Sequence, residues 1–393
     1  MKKASIITLI VAAVILVIGG VLCVIGYSSA KKEGFMLFPQ TENGESIYTF
    51  DFTDRDINRI TVDSISKTKI TLTRGGERSY IEIKNFNANY YRLNEENHAI
   101  SFDEIDDVLS MFKFWEGFSF KGIRYVFSSG ADRDEAHEIT INLADEEQIE
   151  SIKLQPKSGS ISVDGFEGEC SLSMTVGEGR IDVSSVHITG SFVAEAKAAD
   201  SEGIIYINDL TASNVNITSD NSPVTAKYVK CERFAWSGSN RTFIGENIEA
   251  ADLKATSTVD ASITLIGSEF NTATVDTQNG PVRVDLSVPL SSFATDIVTQ
   301  SGDILINGEK LDALMYKAIP EKPEEDSAEA AETDEADAEP AETDETDSVA
   351  PDDDAGTPKI TTVHIHTVSG SIELNTAPEP QESAETDEGT DNG

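Results

Sequence analysis

Apolar and polar residues alternate with a period of two along much of this chain. Tyr48-Thr49-Phe50-Asp51-Phe52, Ile60-Thr61-Val62-Asp63 and Ile70-Thr71-Leu72-Thr73 carry the pattern, and Tyr80-Ile81-Glu82-Ile83 resumes it after the turn Arg74-Gly75-Gly76-Glu77. Successive side chains of a strand point to opposite faces, so the alternation predicts half-buried β-strands. From Glu138 it becomes regular, starting with Glu138-Ile139-Thr140-Ile141-Asn142-Leu143. Small or polar turn positions then recur at Gly159, Gly179, Gly203, Ser222, Asn240, Asp260, Gly280 and Gly302, with spacings of 18–24 residues.

A near-constant spacing of about twenty residues is the mark of a solenoid. One such unit holds two or three short strands and cannot bury its own apolar face. Stacked units bury a continuous column and pair every strand with its neighbours above and below. Glycine at the turns lets backbones approach closely, and Ser, Asn and Asp there bond their own backbone. The expected fold is therefore all-β: a single-handed β-helix or solenoid-like stack with rungs of about 20 residues. Its inward set is Ile161, Val163, Ile181, Val183, Ile205, Ile207, Val215, Ile217, Ile263, Leu265, Val282, Val284, Ile304 and Ile306.

Two stretches break the pattern. Residues 105–127 crowd Phe112, Phe114, Trp115, Phe118 and Phe120 together, which predicts a short helix or wide loop packed over an end of the sheet. Residues 321–355 hold 17 acids and one base with no apolar periodicity, a composition that repels itself and cannot bury enough surface to order. Beyond it the motif returns as Val363-His364-Ile365-His366-Thr367-Val368-Ser369-Gly370-Ser371-Ile372. The acidic block therefore reads as a loop inserted within the solenoid, with the returning motif as its final rung.

At the N-terminus, Ser5 to Ile25 is 21 residues without a charge, long enough to cross a bilayer as a helix. Lys2 and Lys3 precede it and Lys31 and Lys32 follow, a balance that places the N-terminus in the cytoplasm and the rest outside. An uncleaved anchor is preferred over a signal peptide cleaved after Ser28-Ser29-Ala30, because the apolar run is long. A lipid-modified Cys23 is disfavoured by the bulky Leu22 before it. The chain so divides into a cytoplasmic tail (1–4), a transmembrane helix (5–27), a tether (28–46) and a β-rich N-terminal part (47–145). A β-repeat solenoid (146–311 and 359–375), an acidic disordered insertion (312–358) and an acidic disordered tail (376–393) complete it.

The formal net charge of −40 excludes nucleic acid as a partner and argues against anionic lipid surfaces, both of which need a basic face. Without residues 321–355 and 379–393 the body still holds 47 acids against 29 bases. Cys23, Cys170 and Cys231 form no CxxC, so neither a zinc site nor a disulfide framework is indicated. Two buried thiols are preferred over a Cys170–Cys231 bridge. His364 and His366 share one strand face and offer two metal ligands, but no third is near in sequence, so ordinary surface positions are preferred. There is no G-x-S-x-G, P-loop or calcium-loop motif. No catalytic, cofactor-binding or metal-ligating residues are assigned.

His137 to Val163, HEITINLADEEQIESIKLQPKSGSISV, resembles the bacterial DUF4097 family. Thr299-Gln300-Ser301-Gly302-Asp303-Ile304 and Thr367-Val368-Ser369-Gly370-Ser371-Ile372 match its Thr-x-Ser-Gly-Asp-Ile unit, and Ser158-Gly159-Ser160-Ile161 matches the core of that unit. The resemblance extends over about residues 47–311 and 359–375, with Ala144 where the family often has Pro. It implies a β-repeat, single-span envelope protein of candidate-adhesin type with no catalytic residues. The expected function is a membrane-anchored, extracellular, non-catalytic binding, adhesion or scaffold module, its partner a protein or a cell-wall polymer. The alternative is an envelope-stress sensor or regulatory accessory that works through a membrane partner. A polysaccharide-active enzyme ranks last, because the repeats concentrate no carboxylates or basic residues on one face.

Overall fold

Parallel pairing between segments one repeat apart builds this protein. A computed structural model describes residues 41–42, 45–84, 91–104, 137–197, 203–319 and 361–378, together with Gly19. The predicted span over 5–27, the aromatic stretch 105–127 and most of both acidic segments lie outside these residues. Among the described residues no helix is long and apolar enough to cross a membrane.

The N-terminal end is a cap of antiparallel strands around the first rung. β1 (Thr41–Glu42) pairs with β2 (Glu45–Asp51), and both start within the stretch read as a tether. β3 (Arg59–Arg74) is the first rung. β4 (Tyr80–Lys84) lies antiparallel to β2 and to β7 (His137–Leu143), while β5 (Tyr91–Glu96) lies antiparallel to β6 (Ala99–Glu104). The two halves of β3 pair in parallel with β6 and β7 on one side. On the other side both halves pair with β8 (Ser151–Gly168). Parallel stacking thus starts at Arg59, well before the expected boundary at 146. The hairpins between β3 and β8 separate the first two rungs by some ninety residues and hide their repeat relationship.

The succeeding rungs contain β9 (Ser171–Val176), β10 (Glu178–Ile188), β11 (Ser191–Lys197), β12 (Ile204–Thr211) and β13 (Asn214–Asp220). β14 (Val224–Ser239), β15 (Phe243–Ser257), β16 (Ile263–Ile266), β17 (Glu269–Thr277) and β18 (Val282–Pro289) follow. One column runs β9–β11–β13–β14–β15–β17 and a second runs β8–β10–β12–β14–β15–β16–β18, all parallel. β14 and β15 bend through a corner and serve both columns. All fourteen residues of the expected inward set are buried, at 8% exposure or less. Trp236 stacks on Phe243 at 4.8 Å between ring centroids and donates its indole N–H to the buried Ser219 hydroxyl at 3.0 Å.

The last rungs depart from chain order. β19 (Phe293–Thr299) and β20 (Ile304–Ile306) are followed by β21 (Glu309–Leu311) and β22 (Met315–Ala318), which cover them antiparallel. β23 (Thr361–Thr367) pairs in parallel with β17 on one side and β19 on the other. β24 (Ile372–Ala377) pairs likewise with β18 and β20. The returning motif is therefore the penultimate rung, inserted between two rungs consecutive in sequence, rather than the final one. β22 also falls inside the stretch assigned to the acidic insertion, and β24 extends into the one assigned to the tail.

The turns explain the Thr-x-x-Gly motif. Gly280 and Gly370 donate their N–H to the hydroxyls of Thr277 and Thr367 at 3.3 and 2.9 Å. The hydroxyls of Thr367 and Thr299 donate to the carbonyls of Gln278 and Gly370 at 3.4 and 3.3 Å, across the rung boundary. Thr277 and Thr367 so satisfy their own turns, and Thr299 and Thr367 tie neighbouring rungs together.

Candidate functional site

The outward residues at the start of the first column are mostly polar. Ser171, Ser173 and Thr175 of β9, Ser191, Val193 and Glu195 of β11, and Asn214, Asn216 and Thr218 of β13 alternate with buried residues. Glu195 is the one charge among them, and Lys197 pairs with it at 2.7 Å. The register is continuous: Ser173, Val193, Asn216, Ala235, Lys254, Thr274, His364 and Asp296 form a single ladder across the strands. Neighbouring strands lie about 4.8 Å apart, so the outward side chains stand in rows at that interval, with short hydroxyl and amide groups in the majority on β9 and β13. Such groups suit shallow, repeated hydrogen bonds to an extended polymer and not the activation of a single atom.

Three charges of β14 are answered one rung away. Lys227–Glu246, Lys230–Glu249 and Arg233–Asp252 are register partners between β14 and β15, at 2.7, 3.0 and 4.0 Å. Exposed pairs of this kind contribute about 0–1 kcal/mol each and direct interstrand register more than stability.

His364 and His366 point outward from β23, as their spacing implied. The structure adds what the sequence could not place beside them. Asp296 of β19 lies 3.9 Å from His364 Nδ1, and Asp276 of β17 lies 3.9 Å from His366 Nδ1. Each histidine faces a different carboxylate on opposite sides of the strand. No group of three or more metal ligands forms among the described residues. Cys170 and Cys231 are free thiols, the first buried and the second half-buried. Burial pushes them up to about 11 and about 12, so neither supplies a thiolate nucleophile at neutral pH.

A second feature escaped sequence reasoning. At a corner within β8, β10, β12, β14 and β15, and just after β16, the backbone enters the left-handed region, at Gly165, Ser185, Asp209, Tyr228, Asn247 and Gly267. Five are Gly or small residues that tolerate or locally satisfy this conformation. Tyr228 is the exception, with φ 53° and its side chain 59% exposed. The sequence signal is a 19–24-residue spacing offset from the marked turns, which only two glycines punctuate. Ile204 and Ile266 are also exposed on this second face, at 39% each.

The model of the Toastrack DUF4097 family matches residues 57–318. The match covers the rungs from β3 to β22 in one block and stops short of the inserted strand pair. No curated protein matches the chain. Among solved structures, a candidate adhesin from Bacteroides fragilis is 12% identical over 86% of this chain and 99% of its own, with a TM-score of 0.30. A candidate cell adhesion protein from Clostridium sporogenes is 10% identical over 85% and 99%, with a TM-score of 0.19.

Proposed function

The chain belongs to the Toastrack DUF4097 family, and from that premise we propose that it is a non-catalytic binding module of a bacterial envelope. In this reading the apolar run 5–27 anchors it as a single span, and a single-handed solenoid stands outside the membrane. The mostly Ser, Thr and Asn outward positions of β9, β11 and β13 are the surface that takes the ligand, a cell-wall polymer with repeating polar groups. The observation that carries the reading is the in-register outward face of β9, β11 and β13. A rigid repetitive face matched to a repetitive ligand is what solenoids provide.

The test is a pull-down of the purified full chain with isolated wall polymer and, separately, with solubilised envelope proteins, with soluble sugar release followed in parallel. Retention by the polymer without release supports the proposal. Sugar release would make the protein an enzyme. Retention by envelope proteins alone would favour the second reading, a regulatory accessory acting through a membrane partner.

A further inference from the structure

The inserted strand pair β23–β24 separates two rungs that would otherwise stack directly. We propose that residues 361–377 form a removable rung, and that β19–β22 close onto β17–β18 in the same register when it withdraws. The fold then has two end states, inserted and closed.

The first argument is interchangeability. Along the first column the register runs Ala273–Val363–Thr295, Val275–Ile365–Ile297 and Thr277–Thr367–Thr299. Along the second it runs Val282–Ile372–Ile304 and Val284–Leu374–Ile306. Removing the middle member leaves Val275 against Ile297, Val282 against Ile304, Val284 against Ile306 and threonine against threonine. These apolar contacts are replaced by ones of the same kind, while Ala273 meets Thr295 in place of Val363. The turns match as well. A Cβ on Gly302 would lie 2.3 Å from the Gly370 carbonyl oxygen, and one on Gly370 would lie 2.0 Å from that of Gly280. Gly302 thus presents to Gly370 the same bare backbone that Gly370 presents to Gly280.

The second argument is chain length. The connection from β18 to β19 now spans two strand spacings, about 9.5 Å, through Pro289 and one 3-10 turn, Leu290–Ser292. Closure shortens that distance, so the connection can accommodate it. Among the described residues β21 and β22 pair with β20 and β19 alone, and travel with them. In a quasi-one-dimensional stack, losing one rung costs that rung and its interfaces while the remaining column keeps its pairing.

The charges that face the inserted strand are those of its two neighbours. Asp276 of β17 faces His366, Asp296 of β19 faces His364, and Lys317 of β22 lies 3.7 Å from Asp296. Withdrawal leaves Asp276 and Asp296 on adjacent strands, on outward positions that are not opposite one another. Closure therefore creates no directly opposed pair of like charges.

Disulfide trapping tests this in the full chain with Cys23, Cys170 and Cys231 replaced by alanine. Thr274→Cys with His364→Cys reports the inserted state, because the two are register partners. Thr274→Cys with Asp296→Cys reports the closed state, because the two are two strands apart when β23 is in place, beyond the reach of about 7 Å for a disulfide. The rung is expelled by Gly370→Val, which has no room against Gly280, together with Ile365→Asp, which buries a charge. In the parent background the 274–364 bond is expected and the 274–296 bond is not. In the expelled variant the 274–296 bond is expected to rise at least tenfold as the 274–364 bond disappears. Persistence of the 274–364 bond would show that the rung is not removable. Loss of both bonds with rapid hydrogen exchange over 293–318 would show that the end melts instead of closing. Equal 274–296 bonding in the parent would show that insertion is not the resting state. Each of these three results overturns the proposal.

Discussion

Gly370 sits against the carbonyl of Gly280 with no room for a side chain: a Cβ on Gly370 would fall 2.0 Å from that oxygen. The same contact recurs one rung earlier, where a Cβ on Gly280 would fall 1.7 Å from the Ala261 oxygen. These glycines are required by proximity between rungs, and neither has a positive φ. Gly280→Ala is therefore expected to destabilise the protein by roughly 3 kcal/mol through forced backbone separation. Gly308 has φ 80° in open space, so Gly308→Ala is expected to cost only about 1 kcal/mol through conformation. Urea melts of the two variants check the contrast.

The repeat was legible because it is written twice, in the alternation of Ile and Val and in the turn residues that relieve the corner. The rung order was not legible, for a physical reason. Thr277-x-x-Gly280, Thr299-x-x-Gly302 and Thr367-x-x-Gly370 offer the same hydrogen-bonding groups and the same bare backbone. Three units that fit one another in any order cannot reveal which lies between the others. The beginning at Arg59 was hidden by long-range pairing to Ser151. The polar face was visible residue by residue as Ser173, Asn216 and Thr218, but its continuity is a property of register, which turn spacing alone does not set.

The indole of Trp236 and the hydroxyl of Ser219 form a buried hydrogen bond between adjacent rungs. Trp236→Phe removes the donor and opens a small void beside Phe243, so a loss of about 2 kcal/mol is expected. Ser219→Ala removes the partner. A double-mutant cycle in thermal melts should return a coupling of about 1 kcal/mol. A coupling near zero would mean that the bond contributes nothing to rung cohesion.

Tyr228 holds a left-handed conformation that costs an ordinary L-residue about 1–2 kcal/mol, at a corner where the other rungs place Gly, Ser, Asp or Asn. Tyr228→Asn is expected to raise the melting temperature, by roughly 1 kcal/mol of stability. If the melting temperature falls, the exposed ring packs usefully and the strain argument fails.

Asp51 accepts hydrogen bonds from the Thr53 hydroxyl and from Arg78, which hold its carboxyl well below the usual carboxylate range. Its folded pKa lies below the unfolded value of about 3.9, so the unfolded chain binds more protons in that window. The stabilisation from this group is complete above about pH 5 and is lost as pH falls through the folded pKa. Asp51→Asn is expected to melt lower than the parent at pH 7, and the gap should narrow steadily between about pH 5 and pH 2. Thermal melts across that range measure it, and a gap independent of pH would contradict the assignment.

In the proposed function the outward face of β9, β11 and β13, which carries the charge of Glu195, binds a repetitive wall polymer without turning it over. Its most direct test is the affinity of the purified full chain for insoluble wall polymer, compared with that of Ser173→Arg/Asn216→Arg. Both positions lie on the outward face, where substitution changes stability by only about 0.5 kcal/mol. Asp164→Arg, an exposed position on the second column, is the control. Binding by the parent and the control is expected, with at least tenfold weaker binding by the double variant and no release of soluble sugar from any of them. Equal binding by the double variant, or sugar release by the parent, would contradict it.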